Sequence, residues 1–128
     1  MQDESMLLEL ARIILPSEFV DYFQIVGFEK GKETIEIHLD EFAIIPSDRE
    51  GHQLESKGFL DAVTIQDFPL RDKRLTFKVR RRKWYDVDRN EYFTNCYDLV
   101  AQGTRYSKEF AAFLKALPRD LPRFGPFA

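Results

Sequence analysis

Hydrophobic and polar positions change period along the chain, and the changes divide it into elements. Leu7, Leu10, Ala11 and Ile14 recur at the spacing of one helix face. Pro16 ends that helix and opens a second one over Ser17–Phe23. The period then falls to two. Gln24–Glu29 and Glu33–Leu39 read as the arms of a hairpin turned at Lys30-Gly31-Lys32, with alternation at Ile35, Ile37 and Leu39. Residues 41–57 hold Pro46, Gly51 and mixed charges and read as a long loop. Ala62–Phe68 is a third strand, stopped by Pro69. Leu75, Phe77 and Val79 alternate with Arg74, Thr76, Lys78 and Arg80 in a fourth. Asp86–Asn90 is a turn, and Glu91–Val100 returns as a fifth strand. Ser107 is a good N-cap for a last helix with Phe110, Phe113, Leu114 and Leu117 on one face, and Pro118 stops it. The expected fold is α+β: a mostly antiparallel sheet of about five strands, short N-terminal helices and a C-terminal helix. Residues 1–117 form one domain, with an acidic helix-hairpin half (1–55) and a second half (56–117). Residues 118–128 are expected to be a flexible tail.

Charge changes the picture more than composition does. The net charge of −3 conceals a balance of −10 over residues 1–67, +6 over 71–89 and +1 over 90–128. The fourth strand places its cations on the face opposite its apolar residues and runs on into Arg81-Arg82-Lys83-Trp84-Tyr85. Lys73, Arg74, Lys78, Arg80, Arg81, Arg82 and Lys83 are thereby predicted as a cationic ridge able to hold phosphates. Trp84 is placed either to stack or wedge against a base or to fill core space. The expected partner is DNA. The plainer alternative is a solvated face that blunts a sheet edge. The acidic half would have to face away from a polyanion or meet a basic partner.

Other chemistry is sparse. A single cysteine, Cys96, excludes an internal disulfide and any multi-cysteine metal site, and reads as a small, at least half-buried residue of the fifth strand. His38 and His52 read as a surface strand residue and a loop residue. Asp40, Glu41 and Asp67 show no spacing that demands a metal, and Asp67 reads as a turn-bonding residue before Pro69. No phosphate loop, nucleophilic triad or dinucleotide fingerprint is present, so no catalytic residue is expected. No apolar run reaches the ~18 residues of a membrane span. The acidic N-terminus does not suit a signal peptide, and a cytoplasmic location is expected.

Three segments taken together resemble a known family: Ser56-Lys57-Gly58-Phe59, Val63–Pro69 ending in Asp-Phe-Pro, and Arg80-Arg81-Arg82-Lys83-Trp84. They resemble the N-terminal region of bacterial insertion-sequence transposases. In that family a small zinc-binding domain precedes a helix-turn-helix and a catalytic domain with three acidic metal ligands. One branch is similar over nearly the whole length, including Leu15-Pro16, Glu36-Ile37-His38, Gly103-Thr104-Arg105 and Glu109–Lys115, and there the region can be a separate reading frame. The resemblance implies a non-catalytic accessory domain that binds the element's terminal repeat. A separate transposase catalytic chain is a further implied partner. Relatives carry two Cys-x-x-Cys pairs that this chain lacks, with Trp84 and Tyr85 near one ligand position and Asp86–Asn90 in place of the knuckle. A zinc-ribbon-like hairpin without zinc, and without any cofactor, is therefore expected. A second reading makes the domain a protein-interaction module, docking on the catalytic chain or on itself through helix 107–117 and the acidic half.

Overall fold

The computed structural model describes residues 4–102 and 104–117, with the side chains of residues 4, 5, 7 and 8 excepted. The expectations for Leu7, Gly103 and the 118–128 tail fall outside this set. The order is α1 (Glu4–Ile14), α2 (Ser17–Tyr22), β1 (Phe23–Lys30), β2 (Thr34–Glu41), a 3-10 turn (Ser47–Arg49), β3 (Leu54–Phe59), β4 (Val63–Leu70), β5 (Lys73–Arg80), β6 (Arg82–Asp86), β7 (Glu91–Phe93) and α3 (Lys108–Ala116). The fold is α+β with mostly antiparallel sheets, but among the described residues seven strands replace the expected five. They form two sheets, ordered β1-β2-β5-β4 and β3-β6-β7.

Two differences from the expected elements matter for the site. The single basic strand is two strands: β5 ends at Arg80, Arg81 interrupts the ladder, and β6 starts at Arg82 in the other sheet. The predicted fifth strand stops at Phe93 instead of Val100. The supposed loop supplies β3, and β4 continues past Pro69 through an irregularity between Asp67 and Leu70. Such a bulge accommodates a residue with no N–H to give the ladder.

The core lies on one face of the larger sheet. Leu39, Ile65, Leu75, Phe77 and Val79 meet Leu15, Phe19, Val20 and Phe23 from the helices and the start of β1. Phe19 sets its ring edge-on to Phe77 at 4.8 Å, a favoured aromatic geometry. Helix α3 packs Phe110 and Phe113 against Phe68 at 5.2 and 5.3 Å. Its N-cap is Ser107, whose oxygen accepts the Phe110 N–H, as its place before the apolar run predicts.

The pairing with most consequence is parallel. β2 lies beside β5 in register from Thr34↔Arg74 to Asp40↔Arg80. Residues opposite one another share a face, so Glu36, His38 and Asp40 stand beside Thr76, Lys78 and Arg80. The acidic half does not face away from the basic strand; it is the neighbouring strand.

Candidate functional site

The arginine stretch sits where the chain passes from one sheet to the other, and the end of β2 reaches the same point. Arg80 directs Nε and one terminal nitrogen at the two oxygens of Asp40, both at 2.7 Å. This fork matches the planar guanidinium to a carboxylate, and it raises the Arg80 pKa above the ordinary arginine value. The Arg80 guanidinium also lies 4.3 Å from the Phe59 ring centre, and that of Arg82 lies 4.9 Å from the same ring. Phe59 is the β3 residue paired with Arg82, so one aromatic ring of the smaller sheet receives two cations from the junction.

Glu41 is the centre of the junction. It is fully buried. One carboxylate oxygen accepts the Arg82 backbone N–H at 2.7 Å. The other accepts Asn95 Nδ2 at 2.9 Å and the Tyr97 hydroxyl. The Glu41 carbonyl accepts Arg82 Nε at 2.8 Å. Burial, and the carboxylate beside it, push the Tyr97 hydroxyl well above the ordinary tyrosine range, so it stays protonated as a donor. Arg81 donates to the Asn95 carbonyl at 3.1 Å. β7 is short for a reason visible here: beyond Phe93 the chain leaves the ladder and delivers Asn95 and Tyr97 to Glu41.

The remaining predicted residues are scattered in role. Lys73 donates to the carbonyls of Gly31, at 3.1 Å, and Lys32 in the β1–β2 turn. Lys78 stands 4.0 Å from Glu36, which also bonds His38 at 3.0 Å. Lys83 lies over Tyr92, 4.7 Å from its ring centre. Trp84 is only 8% exposed and is stacked on Phe93. A base cannot reach it, so of the two expectations for Trp84 the structure keeps core filling and removes stacking on nucleic acid. Its Nε1 has no hydrogen-bond partner. Arg74 alone of the predicted set is exposed with no side-chain partner among the described residues. The expected single ridge is thus three exposed cations on one face of β5, Arg74 with no side-chain partner, Lys78 beside Glu36 and Arg80 held by Asp40, next to Arg81 and Arg82, which donate to backbone carbonyls.

A second polar knot was not anticipated. Asp86 is fully buried and accepts Arg49 at 2.8 Å, His52 Nδ1 at 2.8 Å and the Arg89 N–H at 3.1 Å. Burial opposes its ionisation, but these donors outweigh it and hold the carboxyl well below the ordinary aspartate range. Arg49 also bonds Glu91 at 2.6 Å and covers Phe93, 4.2 Å from its ring centre. Two further expectations are corrected. Cys96 is exposed, because it lies beyond the end of β7. Asp67 is buried and accepts the Ser107 hydroxyl at 2.6 Å, so it fastens the α3 N-terminus instead of a local turn.

Potential metal ligands come together twice among the described residues: Glu29, Glu36 and His38, and His52, Asp86 and Asp88, each with ligand atoms within 4.8 Å of one another. In the second group both Asp86 oxygens already accept hydrogen bonds, one from Arg49 and His52 and the other from the Arg89 N–H. A cleft of about 470 Å³ opens between α1, α2 and β4, walled by Leu15, Phe68, Leu70 and Leu75 with Asp67 and Glu109 at its polar side. No described helix is long and apolar enough to cross a membrane.

One signal for the buried acids was present in the alternation. Glu41 continues the period of Ile35, Ile37 and Leu39; Asp67 continues Val63 and Ile65; Asp86 follows Trp84 by two. β2 and β6 end on an inward carboxylate, and β4 carries one just before its irregularity; each must find donors. Compared with known proteins, the chain matches no family model, no curated protein and no solved structure.

Proposed function

We propose that this domain is a non-catalytic protein-interaction module, in which the arginine stretch joins two sheets and exposed apolar residues meet a partner chain. The observation that carries this reading is the engagement of Arg80, Arg81 and Arg82 by Asp40, Glu41 and backbone carbonyls. A phosphate would have to displace the Asp40 carboxylate from Arg80, and Arg81 and Arg82 each already commit a guanidinium nitrogen to a backbone carbonyl. Meanwhile Ile13 is 80% exposed and Phe28 69%, on α1 and β1. The resemblance to insertion-sequence transposases suggests the partner: the separate catalytic chain of the same element. Co-purification of the two chains tests this, with duplex DNA at low salt as the control. Capture by the catalytic chain without retention on DNA is the expected result. Retention on DNA without capture would reverse it.

A second reading, contact with the element's terminal repeat, is favoured by one observation. Arg74 and Lys78 are exposed on the same face of β5. Two cations support a weak, salt-sensitive contact, and a gel shift with Arg74→Glu and Lys78→Glu tests it.

A further inference from the structure

The two edges of the larger sheet are treated differently. β4 is covered by the segment before α3: the Gln66 N–H donates to the Arg105 carbonyl and the Ser107 N–H donates to the Gln66 carbonyl, both at 2.8 Å. Among the described residues β1 is paired only with β2. Its outward N–H and C=O groups form a template for one more strand. The strand is also apolar where it is open: Ile25, Val26 and Phe28 are all exposed.

A regular strand fits this edge poorly. The β1–β2 register shifts between Ile25 and Gly27, so one residue in this step has no counterpart on β2. Ile25 and Phe28, three apart, consequently project on one face, beside Leu39 and Ile37. A regular strand laid on the open edge would meet the same mismatch, and bulges protect natural edges in this way. A second copy of β1, run antiparallel about a two-fold axis, does not meet it. Val26-Gly27 then faces Gly27-Val26, residue for residue. Ile25 falls opposite Phe28 of the copy and Phe28 opposite its Ile25. Gln24 falls opposite Glu29, so no like charges oppose each other, and inward side chains face inward ones throughout.

We infer that β1 pairs with the β1 strand of a second copy, giving an isologous dimer with one sheet continuous across the two-fold axis. The inference rests on the interaction-module reading and names one occupant of the module's surface. Sedimentation velocity of the full chain over a concentration series tests it. The wild type should dimerise. Ile25→Lys and Phe28→Glu should each weaken dimerisation by about tenfold, because each spoils two symmetry-related contacts. Both positions are exposed, so circular dichroism should be unchanged. The double variant carrying both substitutions should recover dimerisation, since lysine then faces glutamate twice. A wild type that stays monomeric, single variants that dimerise normally, or a double variant no better than the singles would each overturn the pairing. A monomer still captured by the catalytic chain would sink the pairing and leave the interaction-module reading standing; a monomer that is not captured would sink both.

Discussion

Replacing Glu41 by glutamine removes one charge and almost no volume, yet it should be among the most damaging changes in the protein. Glu41 receives three donors at its carboxylate: the Arg82 N–H, Asn95 Nδ2 and the Tyr97 hydroxyl. A carboxylate accepts at both oxygens, whereas an amide presents one acceptor and one donor group. Whichever way the amide turns, its nitrogen meets at least one donor in a site with no solvent access. Hydrogen bonds to a charged acceptor contribute about 1 kcal/mol more than neutral ones, and a buried group left unsatisfied costs about 1–3 kcal/mol. Two weakened bonds and one mismatch amount to roughly 3–5 kcal/mol, the range found for breaking buried charged networks. Against a total stability of about 5–15 kcal/mol this is large. Urea unfolding followed by tryptophan fluorescence should show the midpoint falling by about 2 M with an unchanged slope. Trp84 is the only tryptophan and sits in the strand that Glu41 binds. Glu29→Gln, at an exposed position, should stay within about 0.5 kcal/mol of wild type. A Glu41→Gln loss below about 1 kcal/mol would refute the reasoning, because it would mean that the junction relaxes or admits water.

Other consequences follow from the same contacts. Asp86 is held below its ordinary range in the folded protein, so as pH falls the unfolded chain takes up this proton first, and the stability it confers is present above about pH 5 and lost progressively below about pH 4; Asp86→Asn should flatten this acid limb in pH-resolved thermal melts. Trp84→Phe removes an indole N–H that has no partner and should cost less than about 1.5 kcal/mol, whereas Trp84→Ala should cost about 3–5 kcal/mol through the cavity it leaves, as read by chemical unfolding. Arg71 adopts a positive φ of 61° in the β4–β5 turn, where glycine is free of the Cβ penalty, so Arg71→Gly should raise the melting temperature by a few degrees.

The elements that could be read from the sequence are those whose signal is local. Period-two alternation marks β2, β4 and β5, the turn at Lys30-Gly31-Lys32 marks β1 as the other arm of a hairpin, and a capping serine before a Phe-rich run marks α3. β3 escapes because Leu54-Glu55-Ser56-Lys57-Gly58-Phe59 is apolar only at its ends, as befits an exposed edge strand. The division of β5 from β6 escapes because the charge run continues through it; Arg81 differs from its neighbours in position, not in type. The parallel pairing of β2 with β5 joins residues about forty apart in sequence, and no local pattern reports such a pair. That pairing decides the fate of the cations. Alternation alone places Arg80 on the polar face of β5, but only the tertiary register supplies Asp40 beside it. The inward positions of Glu41, Asp67 and Asp86 were readable as anomalies in the alternation, though not their partners.

The salt dependence of binding to a labelled DNA duplex, measured by fluorescence anisotropy, bears most directly on whether the arginines serve the fold or a polyanion. With Arg74, Lys78 and Lys83 the cations of the stretch that donate no hydrogen bond to an acceptor among the described residues, log K should fall against log salt with a slope no steeper than about −3, or binding should be undetectable. A slope of about −5 or steeper would mean that Arg80, Arg81 and Arg82 leave their acceptors for phosphates, and would contradict the account.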